Sequence, residues 1–121
     1  MTRKKFLVAS GLHTTTATAI LGQIATGLTA AGNSQATALA LDHSVNVIGT
    51  AAASTGVVLP ACEAGDVIEV YNQGANALAV YPPGSETINA LSASAAFSVG
   101  AGKAARFRKV SDTAWMSQLG A

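Results

Sequence analysis

The residues that could take part in catalysis or hold a metal ion are two histidines, one cysteine and six carboxylates. Zinc sites built from histidine and cysteine use short recurrent spacings, such as H-x-x-x-H. His13 and His43 form no such spacing with each other or with Cys62. Cys62 has no basic neighbour in sequence that would lower its pKa, and a single cysteine excludes an intrachain disulfide. We therefore expect His43 to be a turn residue, Cys62 to be an unreactive thiol, and the chain to hold no metal or cofactor.

Three carboxylates, Glu63, Asp66 and Glu69, lie close together in sequence. Successive side chains of a strand point to opposite faces, so Asp66 and Glu69 would not act together as a catalytic acid and base. We expect surface charges, some of which contact a basic segment of a neighbouring molecule. Residues 100–102 (GAG) lack the context of a phosphate-binding loop and predict a hairpin turn instead. The sequence thus predicts a protein that is not an enzyme.

The basic residues are confined to two short segments. These are Arg3, Lys4 and Lys5 at one end, and Lys103, Arg106, Arg108 and Lys109 at the other. The interval between the segments carries five carboxylates and no basic residue, and such segregation suits contacts between unlike surfaces. Arg106 and Arg108 alternate with Phe107 and are expected to project from one face of a strand. Because aromatic residues that could stack on bases are few, we expect a protein contact and no nucleic acid.

Residues 1–25 are predicted to form an extended arm, because a basic segment rich in threonine and alanine buries little surface. Residues 3–9 (RKKFLVA) are similar to the start of a secretory signal, but the apolar run ends at Ser10 and is too short. Helical spacing of Ile20, Leu21 and Ile24 is compatible with a short helical turn. No stretch is long and apolar enough for a membrane-spanning helix.

From about residue 26 onward, short alternating runs are separated by Gly, Asn, Asp, Ser and Pro, which is typical of an antiparallel β-domain. The predicted strands are residues 35–41, 45–48, 57–59, 66–72, 78–81, 95–99, 104–110 and 114–119. Eight short strands favour an all-β fold, a small antiparallel β-sandwich or barrel over residues 26–121. No internal repeat of solenoid length is detectable.

The clearest strand is residues 66–72, where Ile68 and Val70 share one face and Glu69 and Tyr71 the other. The turn at residues 73–76 (QGAN) predicts a hairpin between this strand and residues 78–81. In the earlier strand at residues 45–48, Val45 and Val47 are expected to point inward.

Residues 65–83 (GDVIEVYNQGANALAVYPP), followed by residues 88–91 (INAL) and the turn at Gly102, form a distinctive run. This run resembles virion structural proteins of tailed bacteriophages, in particular small head-decoration (cement) and head-fibre proteins. Residues 27–32 (GLTAAG) and 45–48 (VNVI) also resemble segments of such virion proteins, so the resemblance spans about residues 24–119. It is carried by strands and turns, and residues 1–23 contribute nothing to it.

The resemblance implies a protein on the outer surface of the virion capsid, commonly a homotrimer, that binds the major capsid protein and stabilises contacts between its subunits. Charge placement, independently of the resemblance, suggests which residues make these contacts. Arg3, Lys4 and Lys5 would anchor the chain with Phe6 as an apolar plug, and Arg106 and Arg108 would contact the capsid or a neighbouring subunit. Many weak contacts on a symmetric shell would add by avidity.

Two other classes stay open. A head-fibre, tail-fibre or spike-associated adhesion module would bind a host glycan or receptor through the loops around residues 82–92. Tyr81, with Asn89 and Glu86, is the combination of aromatic and polar residues that these loops offer for a glycan. A cellular binding module or accessory domain is the remaining alternative, and no membrane contact is expected.

Overall fold

The computed structural model describes residues 23–120, and this part of the chain is all-β, as the sequence predicted. The predicted contacts Arg3, Lys4, Lys5 and Phe6, and nearly all of the predicted arm, lie outside the described residues. The strands are β1 (Ile24–Thr29), β2 (Leu39–Ala40), β3 (Val45–Thr50), β4 (Gly56–Val58), β5 (Val67–Asn72), β6 (Leu78–Tyr81), β7 (Thr87–Ile88), β8 (Phe97–Val99), β9 (Ala104–Lys109) and β10 (Ala114–Gly120).

The strands form two mixed sheets. The larger sheet has the order β1-β3-β5-β9-β10-β7 and the smaller one the order β2-β4-β6-β8. The first six strands alternate between the sheets, so that each successive pair makes one coil of a solenoid-like path. Coils stack in parallel, with Ile24 opposite Val45 and Val45 opposite Glu69, at offsets of 21 and 24 residues. A solenoid-like arrangement therefore replaces the predicted antiparallel sandwich or barrel.

The last strands close this arrangement with antiparallel pairs. Strand β8 runs antiparallel to β6, and β9 antiparallel to β5. Strands β9 and β10 form a hairpin around residues 111–113, and β7 lies parallel to β10. Parallel neighbours need a long crossover connection, and in the coils a strand of the opposite sheet lies within that crossover.

The predicted hairpin between residues 66–72 and 78–81 is wrong, because β5 and β6 belong to different sheets. The turn between them packs on the previous coil instead: a Cβ added at Gly74 would lie 2.5 Å from the backbone nitrogen of Ala51. Asn76 Nδ2 also donates a hydrogen bond to the carbonyl oxygen of Ala51, at 2.9 Å. The hairpin predicted at residues 100–102 is wrong for the same reason, since β8 and β9 lie in different sheets.

One hydrophobic core draws buried side chains from both sheets. Its buried members are Ala30, Leu41, Ile48, Ala51, Val57, Leu59, Ile68, Val70, Leu78, Val80, Ile88, Val99, Ala105, Phe107 and Trp115. The rings of Phe97 in the small sheet and Phe107 in the large sheet meet edge to face, with centroids 5.6 Å apart. Burial of these side chains is the main favourable term for a domain of this size.

The inward side of β3 differs from the prediction. Asn46 and Ile48 are buried, whereas Val45 and Val47 are half-buried on the opposite face. The amide nitrogen of buried Asn46 donates to the carbonyl oxygens of His43 and Glu69, at 2.8 and 3.3 Å. The amide thereby links a turn to the neighbouring coil. Within residues 23–120, no helix is long and apolar enough to cross a membrane.

Candidate functional site

The exposed side of strands β5, β9 and β10 carries a mixed group of charged, aromatic and amide side chains. We call it the outer face and define it by Glu69, Tyr71, Arg106, Arg108, Met116 and Gln118. Strand register aligns Glu69 with Arg106 and Arg106 with Gln118. Arg108 lies opposite Met116, two positions further along β9. Because inward residues such as Phe107 are buried, the outer face is held in place by the core.

Arg106 is an exposed cation next to a carboxylate. Its Nη2 atom lies 3.7 Å from Glu69 Oε1, and 55% of its side chain is exposed. An exposed ion pair of this kind contributes at most about 1 kcal/mol to stability. The pair therefore orients the two side chains more than it stabilises the fold, and much of the guanidinium stays accessible.

Tyr71 completes a small polar network with the same carboxylate. Its hydroxyl donates a 2.8 Å hydrogen bond to Glu69 Oε1. This hydrogen bond, together with the negative charge of Glu69, raises the pKa of Tyr71 above its usual value, and the nearby Arg106 opposes the rise. Glu69 is thus held between a hydroxyl donor and a guanidinium.

Arg108 lies in a different environment. Its Nη1 atom donates to the carbonyl oxygen of Gly65 at 3.4 Å, and no carboxylate in residues 23–120 lies within 4.0 Å of it. Met116, opposite it on β10, is 53% exposed and adds an apolar surface. Arg108 and Met116 together form a cationic and apolar end of the outer face.

The other end of the outer face contains a shallow depression of about 220 Å³. Its lining includes Glu69, Tyr71, Arg106 and Gln118, together with Ala104 and Leu119. A second depression, of about 540 Å³, lies against the small sheet and is lined mainly by small neutral side chains and Tyr81. The first depression is the one that combines an aromatic ring with charged and amide groups.

A cluster that sequence reasoning missed lies in the interior. Lys109 belongs to the basic segment but is buried, and its Nζ atom lies 3.2 Å from Glu86 Oε1. The same oxygen accepts a 2.8 Å hydrogen bond from Trp115 Nε1, and Lys109 Nζ donates to the carbonyl oxygen of Cys62 at 2.8 Å. The inward alternation after Phe107 is the sequence signal that could have placed Lys109 inside.

The three residues expected to offer a glycan site have separate partners. The carboxylate of Glu86 binds Trp115 and Lys109, and Asn89 exchanges hydrogen bonds with Ser117. Tyr81 lies on the small sheet, where a Cβ added at Gly56 would be 2.9 Å from its ring. The structure brings Tyr71, rather than Tyr81, together with charged and amide groups.

The remaining candidate side chains have local roles. His43 Nδ1 lies 2.6 Å from Asp42 Oδ1, in the loop between β2 and β3. Burial raises the pKa of the Cys62 thiol, Asp66 raises it further, and Lys109 partly offsets the effect. Asp66 lies at the turn before β5, where its carboxylate accepts a hydrogen bond from the backbone nitrogen of Glu63. Among residues 23–120, no group of three His, Cys, Asp or Glu side chains could hold a metal ion.

The fold and the outer face define the class: an all-β, solenoid-like domain with a mixed charged and aromatic surface. No protein-family model, curated protein or solved structure matches the chain.

Proposed function

We propose that this chain is a structural protein of a phage virion, which binds the outer surface of the capsid and stabilises contacts between subunits of the major capsid protein. The observation that carries the proposal is the position of Arg108, an exposed guanidinium with no carboxylate partner in residues 23–120. The resemblance of residues 65–91 to decoration and head-fibre proteins supplies the class of partner.

In this proposal Arg108 pairs with a carboxylate of the capsid protein, and Met116 packs against an apolar side chain beside it. Charge-assisted hydrogen bonds to a guanidinium are stronger than neutral ones and fix orientation. Arg106 contributes less because Glu69 already lies beside it. The basic residues Arg3, Lys4 and Lys5, with Phe6, provide a second anchor.

The contact of one Arg108 and one Met116 with the capsid is weak, and repetition of this contact over the shell strengthens binding as a whole. A homotrimer would engage three capsid sites at once, so the second and third contacts would form at a high effective concentration. Self-association would also bury small apolar side chains that the single chain exposes. The proposed function therefore couples trimer formation to capsid binding.

The test uses the full chain and empty capsids of the virus whose genome encodes it. We expect saturable co-sedimentation, with a stoichiometry set by the capsid lattice, and a trimeric mass by light scattering. Arg108→Gln should weaken binding at least fivefold, and removal of residues 1–10 should weaken it further. Lys103→Gln is the matched control, because it removes an exposed positive charge outside the outer face.

Two results would contradict the proposal. The first is the absence of co-sedimentation with these capsids. The second is equal weakening by Arg108→Gln and Lys103→Gln, which would mean that net charge alone governs the contact. The adhesion module remains the alternative function, and the depression beside Tyr71 is the observation that favours it.

A further inference from the structure

We propose that the depression between Tyr71 and Gln118 is a binding subsite for one ring of a neutral saccharide. Such a subsite belongs to the adhesion alternative and does not depend on capsid binding. The depression lies around Ala104, four positions along β9 from Arg108, a separation of about 13 Å in an extended strand. The two ends of the outer face can therefore serve different ligands.

The size of the depression selects a small ligand. Its volume is about 220 Å³, whereas sites for drug-sized ligands measure roughly 300–1,000 Å³. It is also open to solvent on one side, as a site for part of a longer chain must be. A single sugar ring, with its neighbours extending over the surface, fits these limits.

The apolar part of the lining matches the flat side of a sugar ring. Tyr71 is 37% exposed and Leu119 is 51% exposed, so both present carbon surface to a ligand. The electron-rich face of an aromatic ring attracts the weakly positive C–H groups of a pyranose. Ala104, at the same level on the neighbouring strand, keeps the space beside Tyr71 open.

The polar part matches hydroxyl groups, which both donate and accept hydrogen bonds. Glu69 offers carboxylate oxygens as acceptors, Arg106 offers N–H donors, and the amide of Gln118 offers both. Adjacent hydroxyls of a sugar can donate to Glu69 and accept from Arg106 at the same time. The Tyr71 hydroxyl, bonded to Glu69 Oε1, holds this carboxylate in place before a ligand arrives.

The charge of the depression favours an uncharged ligand. Glu69 and Arg106 carry opposite charges and lie 3.7 Å apart, so the site has no net charge. A phosphate or an acidic sugar would be attracted by Arg106 but repelled by Glu69. A peptide strand cannot pair with the backbones of β5 and β9 at the depression, because both are interior strands whose backbone groups already pair with neighbouring strands.

The test is a titration of the full chain, labelled with ¹⁵N, with glucose, galactose, mannose and N-acetylglucosamine, followed by NMR. We expect at least one sugar to give saturable shifts at the amides of Tyr71, Ala104 and Gln118. An open site of this size predicts a Kd on the order of 1–10 mM. The absence of saturable shifts with all four sugars would overturn the proposal.

Variants separate a specific subsite from general surface effects. Tyr71→Ala should raise the Kd at least tenfold, and Gln118→Ala should raise it severalfold. Tyr71→Phe keeps the ring and should raise the Kd less than Tyr71→Ala does. The phenylalanine variant also keeps the test valid if the alanine variant fails to fold. Val110→Ala is the matched control, since it removes an exposed apolar side chain that does not line the depression and should leave the Kd unchanged.

Charged probes decide between saccharide recognition and simple ion attraction. N-acetylneuraminic acid and an acidic tetrapeptide are titrated under the same conditions, and both should respond more weakly than the best neutral sugar. A stronger response to either probe, or shifts that Tyr71→Ala leaves unchanged, would overturn the subsite. Because the titration uses the free chain, its result is independent of the capsid-binding test.

Discussion

Glu86 Oε1 lies 3.2 Å from Lys109 Nζ in the interior of the domain, where only 6% of the lysine side chain is exposed. The two residues come from distant parts of the chain: Glu86 directly precedes β7, and Lys109 ends β9. Trp115 of β10 donates a hydrogen bond to the same carboxylate oxygen. One partly buried carboxylate, with 19% of its side chain exposed, thus connects three strands of the large sheet near its β7 edge.

Removal of the Glu86 carboxylate should be costly. Glu86→Ala leaves the Lys109 ammonium with the carbonyl oxygen of Cys62 and deprives the Trp115 N–H of its acceptor, so we expect a loss of about 3 kcal/mol in the free energy of unfolding. Urea unfolding measures this loss in the free energy of unfolding. In a double-mutant cycle with Lys109→Met, the coupling should exceed about 1 kcal/mol. Glu69→Ala, which breaks an exposed pair, is the control, and an equal loss in both variants would contradict the prediction.

Close packing of successive coils predicts a second sensitive position, at Gly74. A Cβ at this position would lie 2.5 Å from the backbone nitrogen of Ala51 and 2.6 Å from its Cβ, and neither atom can move freely. Gly74→Ala should therefore lower the free energy of unfolding by about 2 kcal/mol. At Gly100 the nearest atom is Lys103 Cδ at 3.4 Å, at the flexible end of a side chain, so Gly100→Ala should change stability by less than about 0.5 kcal/mol. Urea unfolding of both variants tests the difference. Equal losses would mean that the turn at Gly74 shifts enough to accommodate the added Cβ.

The buried amide of Asn72 should contribute more to stability than an exposed amide. Its Nδ2 atom donates to the carbonyl oxygens of Asn76 and Val99, and its Oδ1 atom accepts from the backbone nitrogen of Gly74. Asn72→Ala leaves these groups without partners and should cost about 2–4 kcal/mol. Asn33→Ala, at an exposed amide, should cost less than about 0.5 kcal/mol. Thermal unfolding of both variants checks the order, and a reversed order would contradict the role of Asn72.

The sequence predicted which side of a strand lies in the core better than it predicted the strand partners. Ile68 and Val70 are buried and Tyr71 is exposed, as alternation required, because alternation is a local property of an extended backbone. The same alternation holds for parallel and antiparallel neighbours. Residues 73–76 have the composition of a hairpin turn, yet contacts with Ala51 in the preceding coil lead the chain into the other sheet.

In the candidate site, too, the sequence predicted the exposed face of a strand but not its neighbours in the sheet. Alternation around Phe107 placed Arg106 and Arg108 on one exposed face. Their neighbours Glu69, Tyr71 and Gln118 follow from strand register, which no local pattern reveals. The prediction for β3 was wrong because an asparagine normally indicates the exposed side, whereas the buried amide nitrogen of Asn46 donates to carbonyl oxygens of a turn and of the next coil.

The polar network of the outer face predicts how Tyr71 titrates. Its pKa is raised above the usual value of 10.0, first by the hydrogen bond to Glu69 and then by the negative charge of that residue. The folded state therefore holds this proton more tightly than the unfolded state does. Any stability contributed by the phenol is complete below the unfolded pKa and is lost as pH rises through the folded value.

Ultraviolet titration of Tyr81→Phe isolates Tyr71, because the chain contains two tyrosines. We expect an apparent pKa above 10 in this background, and a fall toward the usual value when Glu69→Gln is added, since the amide removes the negative charge and weakens the acceptor. Asp112→Asn, which removes an exposed charge from the turn between β9 and β10, should leave the pKa unchanged. If Glu69→Gln and Asp112→Asn gave the same pKa, the carboxylate would not be held against the phenol, and the preformed geometry on which the saccharide subsite rests would be absent.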